Sequence, residues 1–470
     1  MRRQLAVATA ALTLTSASLA AGSLTEAGAA TSSGTVSVLA SEKHQAIDGF
    51  GFSTAFQRTS LVYKLPEDKR AEVLDLLLDD KTGAAPSILR LGVGSSTNDT
   101  YDVMLSILPS DPGGPDARPR YTWDGWDGGQ VWFAKEAKSR GITNFYANAW
   151  SAPGYMKTNG TDINGGTLCG VTGADCASGD WKEAYARYLV QYTKFYKGEG
   201  IKIKTLGFTN EPDYTTNYAS MRFTPEQAAE VVAAVGPIAK EAGLKVACCD
   251  SYGWDQSQAY ADAIKANAAA KKSLNVFTGH SYASRSDAKI KIGKKTWMSE
   301  WAPSASTGWN EAWDSGKVTD GIAIAEHIQD TLTQADASAY LYWLGGSRGN
   351  TSALLSIDDT NGTYKVSKRL YAFAAYSRYI RPGATRIGAT TTVPNLKVSA
   401  YKNADGSQVV QLLNTSTRPI STELDLGGTS TAYLTDATHN LSEAPEVATS
   451  KKKKTKLELP SRSLVTLVLK

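Results

Sequence analysis

The chain has 470 residues and a formal net charge of +4, with 42% hydrophobic and 20% charged residues. These values suit a globular protein with one large core and room for a smaller domain. The positive balance is too small to argue for a nucleic-acid partner, whereas eleven Trp and 22 Tyr supply aromatic faces that stack on sugar rings as well as fill cores.

Arg2 and Arg3 precede an Ala- and Leu-rich run, and the small residues Ala27 to Ala30 follow it. Residues 1–30 therefore read as a secretory signal peptide, which places the mature protein outside the cell and permits disulfides. No later segment reads as transmembrane, and no membrane partner is expected. Residues 31–45 alternate in polarity and are expected to form an N-terminal strand of a β-sandwich.

Eight short apolar runs then recur, at 46–53, 87–94, 143–151, 205–212, 245–253, 277–283, 295–303 and 339–346. Helical patterns lie between them, among them "WKEAYARYLVQYTKFYKGEG" and "TPEQAAEVVAAVGPIAKEAG". The second opens on Thr224, Pro225 and Gln227, the order of an N-cap, a first-turn proline and a capping-box partner. Eight strand–helix units predict an α/β fold, a (β/α)8 TIM barrel over residues 46–382. No G-x-G-x-x-G follows the first strand, so a dinucleotide site on an open sheet is unsupported. After Pro382 the runs become short and alternating, and residues 383–470 read as a β-sandwich. The four lysines at 451–454 are expected at a solvated hairpin tip.

Of the four cysteines, Cys169 and Cys176 flank a glycine-rich loop that a disulfide could staple. Cys248 and Cys249 are adjacent in an apolar run, and either buried thiols or a vicinal disulfide fits them. Their spacing does not suit zinc, and neither metal nor cofactor is expected.

A barrel keeps its chemistry at the carboxyl ends of its strands. Those ends carry Arg58 after strand one, Arg90 on strand two, Trp150 after strand three, and Asn210 and Glu211 after strand four. His280 and Tyr282 follow strand six, Glu300 ends strand seven and Trp343 ends strand eight. Singly, Arg90 reads as a salt-bridge partner, His280 as a core histidine and Trp343 as packing. Their joint fall at strand ends points to a pocket with two opposed carboxylates, the requirement for glycoside hydrolysis. Pro212 biases Glu211 toward extended backbone. Arg90 is expected to keep Glu300 ionised, and burial beside Glu300 to raise the pKa of Glu211.

The stretches "IDGFGFSTAFQR", "ILRLGVGSS", "WSAPGYMKTN", "LGFTNEPDY", "ACCDSYGW" and "WMSEWA" resemble glycoside hydrolase family 30, most closely its branch of fungal secreted xylanases. The likeness runs from about residue 46 to 385. It implies a barrel with a side β-sandwich built from both termini and retaining hydrolysis of β-glycosidic links. It also implies Glu211 as acid/base, Glu300 as nucleophile and Asn210 on the sugar 2-hydroxyl. The expected partner is xylan of the plant cell wall, cut by a monomer, with Trp150, Tyr282 and Trp343 walling the sugar. β-1,6-Galactan and β-1,6-glucan are the alternative substrates, and a non-catalytic carbohydrate-binding barrel is the reading from another class. Bacterial glucuronoxylanases of the family carry Arg-Arg-Ser-Tyr-Gly after strand eight, where this chain has "GGSRGN". Arg58 and Arg348 are thus the candidates for a uronate contact. Arg58 is favoured because its aromatic-supported turn is more fixed than a glycine-rich loop.

Overall fold

The computed structural model describes residues 34–98, 103–304, 308–349, 351–451 and 453–470. The expected signal peptide lies outside them. Eight parallel strands close a barrel: β2 (Gly49–Ser53), β3 (Ile88–Val93), β4 (Asn144–Ala149), β5 (Ile203–Gly207), β6 (Lys245–Ser251), β7 (Leu274–His280), β8 (Lys295–Trp301) and β9 (Ala339–Leu344). Each matches one of the eight apolar runs. The helix Pro225–Glu241 starts as its sequence predicts, with a full capping box between Thr224 and Gln227.

The two-residue period of the strands sorts the barrel interior. Ile88, Tyr146, Ala247, Val276, Trp297, Ala339 and Leu341 form an apolar plug. Two residues further along the same strands come Arg90, Asn148, Thr278 and Ser299, all buried. The interior thus changes from apolar to polar toward the carboxyl ends. Gly207 on β5 leaves room for this layer, since a Cβ there would stand 2.0 Å from the Asn148 side-chain oxygen.

The strand β1 (Thr35–Ala46) precedes the barrel, and β10 (Gly346–Ser347), β11 (Leu355–Asp358) and β12 (Thr363–Val366) form a small sheet after it. Nine further strands follow: β13 (Thr385–Thr391), β14 (Leu396–Lys402), β15 (Gln408–Asn414), β16 (Ile420–Leu424), β17 (Ser430–Thr435), β18 (Asn440–Glu443), β19 (Ala448–Ser450), β20 (Thr455–Leu459) and β21 (Ser463–Leu469). With β1 they make one curled ten-stranded sheet, in the order β18-β17-β21-β15-β14-β13-β1-β16-β20-β19. Leu457 on β20 and Leu467 on β21 are distant in that order yet share one apolar core, so the sheet folds over itself. On β15, Val410 and Leu412 face this core, while Val409 and Leu413 join the barrel's core. Alternation on one strand therefore fastens the sandwich to the barrel. The antiparallel pair β19–β20 meets at the lysine run, as expected of a hairpin tip, and the Lys451 N–H donates to the Lys454 carbonyl.

Cys169 and Cys176 form a disulfide with a Cα–Cα distance of 5.5 Å. Cys248 and Cys249 are bonded to each other, which resolves the two readings of that pair. Among the described residues no helix is long and apolar enough to cross a membrane.

Candidate active site

The polar layer gathers around Arg90, which is fully buried on β3. One guanidinium nitrogen donates to Glu300 at the end of β8, and another donates to Asn210 Oδ1 at 2.7 Å and Asp250 Oδ2 at 2.9 Å. Asp250 also accepts from Tyr146 at 3.0 Å, from Asn148 at 2.8 Å and from Ser299. Burial alone would raise the Asp250 pKa. Arg90, His280 and Ser299 outweigh it, and the carboxyl is held well below the ordinary range. Burial likewise opposes the Arg90 charge, but Glu300 and Asp250 more than compensate.

Glu300 has a second support, the Tyr282 hydroxyl at 2.9 Å from Oε1. That phenol stays protonated because burial and the nearby carboxylates push its pKa up. A shift in the β7–β8 ladder at Gly279 sets His280 beside Glu300. His280 Nδ1 lies 3.0 Å from Glu211 Oε1, and its Nε2 lies 3.8 Å from both Asp250 and Glu300. Burial would discharge this ring, but Glu300, Asp250 and Glu211 raise its pKa to about 10. Glu211 is buried beside this ring. Burial raises its pKa to about 7, with His280 pulling it down and Glu300 pushing it up. One oxygen of Glu211, one of Glu300 and a ring nitrogen of His280 lie within 4.8 Å of one another.

The two glutamates open on a cleft of about 330 Å³, lined also by Phe56, Arg58, Trp150, Tyr214, Tyr218, Tyr252, Tyr282 and Trp343. Phe56, Trp150 and Trp343 meet edge-on or tilted at 5.4–6.1 Å, and Arg90 stacks under Trp150 at 4.4 Å. The nine expected site residues fall into two groups. Glu211, Glu300, Trp150, Tyr282, Trp343 and Arg58 line the cleft, while Arg90 and His280 hold the two glutamates and Asn210 accepts from Arg90.

Three features depart from the sequence reading. Glu211 does not take extended backbone; its φ is +47°, in the left-handed region. Its N–H donates to the Asp250 carbonyl, and its own carbonyl accepts from the Tyr214 N–H. The bond to Asp250 on β6, together with the local turn to Tyr214, overrides the bias set by Pro212, at a position where strain often accompanies function. Residues 346–348 of the stretch after strand eight are not loose: Gly346 and Ser347 pair with β11, and Arg348 makes a bidentate contact to Asp359. Asp250 went unread, although its place at the end of the fifth strand run could have found it. The cysteine pair before it drew the reading instead.

Residues 33–277 match the family described as O-Glycosyl hydrolase family 30, and residues 383–467 match the Glycosyl hydrolase family 30 beta sandwich domain. The structure of the catalytic domain of GH30 xylanase C from Talaromyces cellulolyticus is 39% identical, with a TM-score of 0.87, over 93% of this chain and 100% of that one. Glucuronoxylanase XynC of Bacillus subtilis is 25% identical over 358 residues, 73% of this chain and 77% of that protein. Endo-1,6-beta-D-glucanase BGN16.3 of Trichoderma harzianum is 26% identical over 406 residues, 79% of this chain and 78% of that protein.

Proposed function

The chain belongs to glycoside hydrolase family 30, and from that premise we propose that it is a secreted, retaining hydrolase of β-1,4-linked xylan. The observation that carries this reading is the pair of buried glutamates in unlike environments, with an oxygen of each within 4.8 Å of the other. Retaining enzymes hold their two carboxyl groups about 5–5.5 Å apart, whereas inverting ones leave about 6.5–9.5 Å for a water.

In the first step the Glu300 carboxylate attacks the anomeric carbon, and Glu211 gives its proton to the departing oxygen. Arg90 and Tyr282 each donate to one oxygen of Glu300 and so aim it. His280 donates to Oε1 of Glu211, which leaves the other oxygen to carry the proton. Asn210 spends its Oδ1 on Arg90, so its amide nitrogen is the donor for a sugar 2-hydroxyl. Once Glu300 becomes a neutral ester, its upward push on the Glu211 pKa ends. Glu211 then accepts a proton from water, which breaks the ester and regenerates both groups.

Xylan is favoured by the likeness to xylanase C and to the glucuronoxylanase. A second reading, β-1,6-glucan, is favoured by the likeness to the fungal endo-1,6-glucanases. A uronate branch on xylan needs an arginine fork. Arg58 lines the catalytic cleft, whereas Arg348 lines a separate groove and is engaged by Asp359. Steady-state rates on glucuronoxylan, undecorated xylan and β-1,6-glucan, with wild type and Arg58→Ala, test both points. Wild type is expected to cut the xylans at least tenfold faster than the glucan. Arg58→Ala should lower the ratio of kcat/KM for decorated over undecorated xylan about ten- to a hundredfold, the scale of one charged hydrogen bond. Preference for the glucan would overturn the substrate assignment, and an unchanged ratio would overturn the role of Arg58.

A further inference from the structure

The cleft holds two separate groups of rings. Phe56, Trp150 and Trp343 pack edge-on or tilted into a floor, with Arg90 stacked on Trp150. Tyr282, Tyr252 and Tyr214 form a ladder of near-parallel rings leading away from the nucleophile. Tyr252 lies 5.4 Å from Tyr282 at 21°, and Tyr214 lies 4.4 Å from Tyr252 at 9°. The outermost ring, Tyr214, is 39% exposed.

The ladder is braced from behind. The Tyr252 N–H donates to Asp213 Oδ1 at 2.8 Å, and Arg222 donates to the Asp213 carbonyl at 2.6 Å. A large apolar ring left exposed yet held flat is pre-ordered for stacking, so a sugar that lands on it immobilises little. Tyr214 also sits three residues beyond Glu211 and donates its N–H to the Glu211 carbonyl at 2.9 Å. It is therefore fixed to the backbone of the group that protonates the departing oxygen.

We propose that Tyr214, backed by Tyr252, forms the sugar subsite on the leaving-group side, where the departing saccharide and any incoming acceptor stack. This rests on the retaining reading above. In a retaining enzyme an acceptor sugar in that subsite can replace water. Its hydroxyl oxygen bonds to the anomeric carbon, the bond to Glu300 breaks, and the hydroxyl proton passes to Glu211. The ratio of transfer to hydrolysis then reports acceptor binding within each variant, whatever its overall rate.

The test uses the full enzyme, an aryl xyloside donor and xylobiose as acceptor, with Tyr214→Ala, Tyr214→Leu and Tyr214→Trp. The Ala and Leu variants should lower the transfer-to-hydrolysis ratio about tenfold, one aromatic contact's worth, and the Trp variant should hold it within about twofold. An unchanged ratio in the Ala and Leu variants, with KM for the donor raised instead, would place Tyr214 on the other side and overturn the proposal. Should wild type cut β-1,6-glucan and not xylan, the same ratio with gentiobiose as acceptor and an aryl glucoside donor decides the subsite while the substrate assignment falls. Turnover of neither polymer would overturn the functional reading and the subsite together.

Discussion

Glu300→Gln is expected to lower turnover of xylo-oligosaccharides about 10⁴-fold or more, because no other group can form the covalent intermediate. The amide oxygen can still accept from Arg90 while its NH2 donates to the Tyr282 hydroxyl oxygen, so the buried cation keeps a partner there as well as at Asp250. Thermal unfolding should accordingly move by only a few degrees, which separates lost chemistry from lost fold. In Glu300→Gly, added azide has room to attack from the vacated face. The product from an activated aryl β-xyloside should be the α-glycosyl azide, with the configuration inverted. In Glu211→Ala azide takes the place of water in the second step and should give the β-azide. An exchange of these two outcomes would reverse the roles assigned to the two glutamates.

The second large effect belongs to Glu211 itself. Glu211→Ala should lower kcat/KM on xylo-oligosaccharides about 10²- to 10⁴-fold, the usual weight of a general acid acting on a poor leaving group. The pH profile carries the more specific signature. Burial sets the Glu211 pKa at about 7, and only the protonated form can donate. In wild type, kcat/KM should therefore fall as pH rises through about 7, because the proton is lost from the free enzyme. Glu211→Gln is neutral at every pH and should lose that alkaline limb from its residual activity. A limb that persists unchanged in Glu211→Gln would assign the titration to another group.

The barrel was legible because buried parallel strands read as continuous apolar runs, with amphipathic helices between them. The two glutamates were legible by their position, one four residues past β5 and the other within β8. What stayed hidden was set by contacts between distant segments. Asp250 matters because Arg90, Tyr146, Asn148 and Ser299 converge on it from three other strands. The ladder unites Tyr214, Tyr252 and Tyr282 from three different loops, and no local pattern announces it. The left-handed backbone at Glu211 is likewise imposed from outside, by the carbonyl of Asp250. The hold of Arg90 and His280 on the carboxylates required the inward phase of β3 and the ladder shift at Gly279.

The central claim, double displacement at the Glu211–Glu300 pair, is tested most directly by the anomeric configuration of the first product. Proton NMR followed through the first minutes of xylo-oligosaccharide hydrolysis, before mutarotation, resolves it. The account predicts that the β-anomer appears first and decays toward the equilibrium mixture. Initial release of the α-anomer would mean a single inverting displacement and would contradict the covalent role of Glu300.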